Sequence, residues 1–186
     1  MRIGVLAVQG AFIEHEKILN KLGVDCIEIR QKKDLEAIDG IILPGGESTV
    51  QGKLLHKLDM FDLLQEKIKN GLPTLATCAG LILLAECLED DTTLHLGTLP
   101  VTVKRNAYGR QLGSFETKGS IGDISDFPLI FIRAPYITNV SSDANILTTV
   151  DSHIVGVEYK NQIWLAFHPE MSEDYRLHKY FLEKIK

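Results

Sequence analysis

A chain of 186 residues, 45% hydrophobic and 24% charged, is long enough to bury one sizeable core and has the make-up of an ordinary globular domain. Its net charge of −5, with no basic cluster to offset it, argues against nucleic acid as a partner. No apolar stretch approaches the roughly 20 residues of a membrane span. The opening MRIGVLAVQG is too short and too strand-like for a signal peptide. The three cysteines, none in a C-x-x-C arrangement, suggest neither a disulfide framework nor a zinc site, and reduced thiols without a targeting signal predict a cytoplasmic protein.

In chain order, Ile3 to Val8 is a continuous apolar run, the pattern of a strand buried on both faces. Gln9-Gly10 breaks it, and Phe12, His15, Leu19 and Leu22 then recur at helical spacing before Gly23. Cys26 to Ile29 reads as a second strand, Asp34 to Ile38 as a short helix, and Ile41 to Leu43 as a third strand ended by Pro44-Gly45-Gly46. Ser48 or Thr49 is placed to cap a helix running toward Leu58. A further helix, Phe61 to Ile68, closes at Gly71, and Pro73 to Ala76 forms a strand that leads into a helical pattern containing Cys87. This alternation predicts a parallel sheet flanked by helices. After about residue 95 the pattern changes. Val101 to Val103 and Ile130 to Ile132 read as strands without long helices between them, Ile154 to Val157 and Ile163 to Phe167 as a hairpin around Lys160-Asn161, and Glu173 to Ile185 as a terminal helix. The expected fold is α/β, one domain over residues 1–186, with a mostly parallel sheet and a more antiparallel second half.

Three segments carry candidate chemistry. In LATCAGLILLA, the small residues Ala76, Ala79 and Gly80 surround Cys78, so the backbone can turn sharply from strand to helix and present the sulfur at the sheet's carboxyl edge. The start of a helix favours the thiolate, the nucleophilic form of a cysteine. Read alone, the same position also suits a packed structural thiol, as do those of Cys26 and Cys87. His168 and Glu170, in FHPE, follow an apolar strand. They can supply a base for a thiol and an acceptor that orients the base, with Pro169 stiffening the segment. A strand-end His beside a surface Glu is the plain alternative, and a His-x-Glu metal site lacks further ligands at suitable spacing. The loop Pro44-Gly45-Gly46-Glu47-Ser48-Thr49 offers bare N–H groups to an oxyanion, or is simply a tight turn before a helix; it lacks the Gly-Lys-Ser/Thr ending of a phosphate loop. Arg105 and Arg133 suit either a substrate carboxylate or a surface ion pair. His15, His56, His95, His153 and His178 occur singly and read as structural or solvent-facing.

The Cys elbow, the PGGES loop and the late HPE, in that chain order, resemble the class I (triad-type) glutamine amidotransferases, whose fold is flavodoxin-like. PGGEST, TCAGLILLA, RNAYGRQLGSFE, FIRAP and FHPEMSEDYR together resemble the glutaminase subunits of pyridoxal 5′-phosphate synthase, and the resemblance runs from VQGAF to the terminal helix. It implies Cys78 as nucleophile, His168 as acid/base and Glu170 as its orienter. Gly46, Glu47, Ser48, Arg105, Ile132 and Arg133 match the glutamine-binding positions. The N–H groups of Gly46 and Ala79 match the oxyanion donors, and Gln9 and Gly10 a loop near the synthase subunit and the activation step. Ala76 stands where the superfamily elbow often has Gly, implying a slightly tighter turn. The implied reaction converts L-glutamine and water to L-glutamate and ammonia through a γ-glutamyl thioester. The implied partner is a (β/α)₈-barrel synthase subunit that receives the ammonia, and the free glutaminase is implied to be nearly idle until it docks. No metal or cofactor is expected on this chain, and the product cofactor is not expected to bind it. A glutaminase subunit of another amidotransferase shares the triad but gives no reason for RNAYGRQ and FIRAP. A stand-alone cysteine hydrolase is disfavoured by the Glu two residues after the His, and a non-enzymatic thiol sensor by the intact His168 and Glu170.

Overall fold

The computed structural model describes residues 1–89, 91–105 and 114–185. Strand β1 (Arg2–Leu6) is buried along four of its five residues, and helix α1 (Phe12–Lys21) follows it, turning His15, Ile18 and Leu19 inward. Gly23, at φ +70°, ends that turn and leads into β2 (Asp25–Ile29). The short helix expected at Asp34 to Ile38 is instead a 3₁₀ turn over Lys32–Leu35. The Asp34 carboxylate accepts the N–H groups of both Arg30 and Gln31, which starts the turn two residues earlier.

After β3 (Gly40–Leu43), helix α2 (Ser48–Lys57) begins with Ser48 already inside it. Glu47 is the N-cap residue, without a side-chain cap, so neither Ser48 nor Thr49 caps the helix. Helix α3 (Phe61–Lys69) buries Leu64 and Ile68 one turn apart, and β4 (Thr74–Thr77) is wholly buried. Helix α4 (Ala79–Leu84) is short and buried at every position. The helix expected around Cys87 ends at Leu84, and Ala85–Leu88 forms β5, pairing in parallel with β6 (Leu99–Lys104). Cys87 is therefore an exposed strand residue.

The second half is strand-rich: β7 (Ser114–Ile121), β8 (Ile124–Ile132), β9 (Tyr136–Val140), β10 (Asn145–Val150), β11 (His153–Tyr159) and β12 (Gln162–Leu165), then helix α5 (Arg176–Glu183). β11 and β12 form the expected antiparallel pair, with Lys160 at φ +53° in the turn. Among the described residues ten strands make one sheet in the order β2-β1-β3-β4-β12-β11-β9-β6-β5, with β10 on β11, while β7 and β8 pair apart from it. β2, β1, β3, β4 and β12 are mutually parallel neighbours. Leucine, isoleucine, valine and the large aromatics Trp164, Phe127, Phe131, Phe167 and Phe181 fill the core. Among the described residues no helix is long and apolar enough to cross a membrane.

The order of the central strands decides where chemistry can happen. β1, β3, β4 and β12 lie side by side and run the same way, so the segments leaving their carboxyl ends meet along one edge. Those segments carry Gln9-Gly10, the Pro44–Ser48 loop, Cys78 and His168. Open parallel sheets gather ligands along this edge.

Candidate active site

Thr77 pairs with Leu165 at the end of β4, and the Cys78 N–H donates to Leu165 O at 2.8 Å. Cys78 then takes φ 47°, ψ −101°, a conformation that L-residues rarely adopt, and α4 begins at the next residue. Such a backbone costs on the order of 1–3 kcal/mol and persists only where the surroundings enforce it. Gly80 makes the turn possible, because a Cβ there would lie 2.2 Å from Leu43 O of β3. Ala76 sits within β4, paired with Leu43 and Trp164, so the sharp turn falls on Cys78.

His168 follows β12, and its N–H donates to Ile130 O of β8 at 2.8 Å. Pro169 opens a 3₁₀ turn (Pro169–Met171) that swings Glu170 back under the imidazole. His168 Nδ1 lies 2.7 Å from Glu170 Oε1, and both side chains are buried. Nε2 is buried without a hydrogen-bond partner among the described residues, which leaves it as the nitrogen available to the neighbouring Cys78. Burial alone would lower the His168 pKa. The neighbouring Cys78 sulfur and the Glu170 carboxylate outweigh it and push the pKa up to about 10. Burial would raise the Glu170 pKa, but His15 and His168 hold it below the usual carboxylate value.

The loop after β3 closes the site from the other side. A Cβ on Gly45 would lie 2.3 Å from His168 Cε1 and 3.4 Å from Cys78 Cβ, so only glycine lets the backbone pass between them. The loop is tied in place: Gly45 N donates to Thr77 Oγ1 at 3.0 Å, and Ala11 N donates to Gly45 O at 2.9 Å. Gln9 Oε1 accepts from Glu47 N at 2.8 Å, and Gln51 Nε2 donates to Gln9 O at 2.9 Å. Gly10, at φ +105°, approaches so closely that a Cβ would lie 2.0 Å from Gly45 O.

These segments surround a cavity of about 750 Å³. Cys78, Ala79 and His168 line one side, and Gly46, Glu47 and Ser48 another. Gln9, Gly10, Arg105, Ile132 and Arg133 also line it, while Glu170, bonded to His168, does not. Arg133, at φ +46°, follows the last residue of β8. Arg105 Nη1 donates to Asp91 Oδ2 at 2.8 Å, but its Nε and Nη2 are buried without a partner among the described residues. The Arg105 side chain lines the cavity, where a guanidinium suits a ligand carboxylate. The NAYGRQLG stretch, residues 106–113, lies outside the described residues. Among the described residues no group of three or more His, Cys, Asp or Glu is placed to hold a metal ion.

Residues 5–186 match the family model described as the SNO glutamine amidotransferase family. The chain belongs to the SNO glutamine amidotransferase family. It is 63% identical over 186 residues to "Pyridoxal 5'-phosphate synthase subunit PdxT" of Desulfitobacterium hafniense (strain DSM 10664 / DCB-2), covering 100% of this chain and 94% of that one. It is 48% identical over 190 residues to the subunit of the same name from Streptococcus pneumoniae (strain CGSP14), covering 100% and 98%. A solved structure titled "Crystal structure of glutamine amidotransferase" superposes with a TM-score of 0.94 at 39% identity, covering 98% of each chain.

Within this SNO-family site, sequence reasoning missed His15, Thr77, Gln51 and His178. His15 and His178 are not single histidines but a contacting pair, His15 Nδ1 lying 3.0 Å from His178 Nε2, and His15 Nε2 reaches to 3.4 Å from Glu170 Oε2. His15 sat in plain view on the inward face of α1, spaced with Leu19, but its contact with Glu170 is not encoded in any local spacing.

Proposed function

We propose that this chain hydrolyses L-glutamine to L-glutamate and ammonia and hands the ammonia to a synthase subunit that builds pyridoxal 5′-phosphate, the whole of residues 1–186 serving as one glutaminase domain. One observation carries the reading. A thiol on a strained elbow, an imidazole held by a carboxylate at 2.7 Å and a glycine loop leave three adjacent parallel strands and face one cavity. The names of the relatives point to the same activity.

In this reading Cys78 Sγ attacks the side-chain amide carbon of glutamine, and the negative charge moves to the carbonyl oxygen. The N–H groups of Gly46 and Ala79 receive that oxyanion; one such donor is typically worth about 10²–10³ in rate. As the carbon–nitrogen bond breaks, the proton on His168 Nε2 passes to the departing nitrogen, giving ammonia and a γ-glutamyl thioester. His168, neutral again, takes a proton from water as the water's oxygen attacks the thioester. Collapse of the second tetrahedral intermediate expels the sulfur and leaves glutamate. Glu170 stays ionised throughout, orienting Nδ1–H and stabilising the imidazolium. Glu47, Ser48, Ile132, Arg105 and Arg133 frame the substrate, with Arg105 assigned to its α-carboxylate. Gln9 and Gly10, which brace the glycine loop, are assigned the role of passing a partner's docking to the oxyanion site. The partner is assigned a (β/α)₈-barrel fold.

The direct test measures ammonia released from glutamine by the purified chain, with and without the purified synthase subunit. Turnover in the mixture, and far less from the chain alone, is expected. No turnover in either overturns the reading. Arg105→Ala is expected to raise KM for glutamine about tenfold with kcat nearly unchanged, because a carboxylate contact present throughout the reaction is uniform binding. Steady-state kinetics in the complex check this.

A further inference from the structure

Behind the catalytic side chains, α1 and α5 bring two histidines into the core. His15 and His178 are both fully buried, with ring centroids 5.2 Å apart. Apolar side chains would fill this space without the cost of burying polar rings, so the pair calls for a reason. Glu170 supplies one. Its Oε1 faces His168, while its Oε2 is buried with no hydrogen bond among the described residues and has His15 Nε2 at 3.4 Å.

The proton positions follow from the network. A lone pair on His15 Nε2 would face a carboxylate oxygen and repel it, so Nε2 carries the hydrogen. His15 Nδ1 then accepts from His178 Nε2–H across 3.0 Å. The chain ends in a lone pair on His178 Nδ1, which is buried without a partner among the described residues. Burial is the chief cause that lowers the pKa of both rings, so both stay neutral. On His15, Glu170 and Glu14 oppose that effect and His168 adds to it, and on His178, His15 adds to it. His15 Nε2 also stands 3.5 Å from Thr77 Oγ1, the oxygen that accepts the Gly45 N–H. One imidazole thus touches both the carboxylate behind the base and the hydroxyl that holds the glycine loop.

We infer that His15, held in its tautomer by His178, is a positioning residue that fixes Glu170 Oε2 and so keeps Oε1 on His168 Nδ1. Neither histidine reaches the cavity, and neither contacts substrate. Only the kinetic part of the test rests on the glutaminase reading.

The test labels the histidines of the full chain with ¹⁵N and follows the His168 ring through its titration by NMR, with no glutamine and no synthase present. His15→Leu, which removes the polar ring 3.4 Å from Glu170 Oε2, is expected to lower the His168 midpoint by about one pH unit, the scale on which losing a polar contact to a charged group acts. His15→Gln, whose amide N–H can take the place of Nε2–H, is expected to restore it. In the complex with the synthase subunit, His15→Leu is expected to lower kcat about tenfold with KM within about twofold, and His15→Gln to recover most of kcat. A purely structural role would lower the folded fraction without moving the midpoint. If His15→Leu does not fold, His15→Asn replaces it under the same criterion, since its shorter amide reaches the His178 side and not Glu170. An unmoved midpoint in the donor-lacking variant, or a moved one with kcat unchanged, overturns the inference. A wild-type chain inactive on glutamine would sink the glutaminase reading instead, and the titration alone would then decide this one.

Discussion

Cys78→Ala is expected to lower glutamine hydrolysis in the complex by about 10⁴-fold or more, since losing the nucleophile from a triad leaves only the binding and oxyanion contributions. Turnover surviving this substitution would remove Cys78 from its assigned role. The same position makes a second, independent statement about the fold. Cys78→Ala keeps a side chain at φ 47°, ψ −101°, whereas Cys78→Gly abolishes the thiol equally but tolerates that backbone. The Gly variant is therefore expected to be more stable than the Ala variant by at least about 1 kcal/mol, or about 2–4 °C in Tm for a chain of this size. Thermal denaturation of the two inactive variants side by side checks it. Equal Tm values would mean that the elbow is not strained.

Gly45→Ala is expected to lower kcat about 10²-fold while leaving the chain folded. The added methyl would lie 2.3 Å from His168 Cε1, closer than any van der Waals contact allows. The loop has little freedom to retreat, because Gly45 is bonded on one side to Thr77 Oγ1 and on the other to the Ala11 N–H. The imidazole must move instead, away from both Glu170 and Cys78, and a misplacement of about 1 Å can cost about 10² in rate. Kinetics in the complex, with circular dichroism to confirm folding, would expose a Gly45→Ala variant of wild-type kcat and so refute the packing argument. Gly10→Ala probes the same bracing from behind, since its Cβ would meet Gly45 O at 2.0 Å.

The parallel half of the sheet was legible because its central strands are buried on both faces, and continuous apolar runs such as Ile3–Leu6 and Ile41–Leu43 leave little else to fold into. The site was legible for a related reason: each of its segments breaks such a run abruptly, with Gln9-Gly10, Pro44-Gly45-Gly46, Cys78-Ala79-Gly80 or His168-Pro169. What failed was long-range in origin. The run Leu81 to Leu88 is apolar but for Glu86 and continues the helical pattern, but Ala85–Leu88 leaves the helix because β6 offers it a partner. β7 alternates half-buried and exposed residues, and its polar content concealed a strand that β8 stabilises. β9 and β10 are likewise short and rich in polar residues, with no apolar run to announce them. The His15–His178 pair joins the first helix to the last, so no window of sequence contains both.

The position of β12 between β4 and β11 has a consequence for how the molecule comes into being. On a ribosome, β1 to β4 can assemble early, since each pairs with a neighbour already made. β4 must then wait, with one backbone edge open, until nearly all the remaining chain has emerged and β12 can be inserted against it. An unpaired apolar strand edge invites association with other chains, and closure between distant segments is slow. The nascent protein is thus most vulnerable to aggregation just before β12 docks, and that docking also brings His168 to Cys78, so the two sides of the cavity meet only when β4 gains its second neighbour.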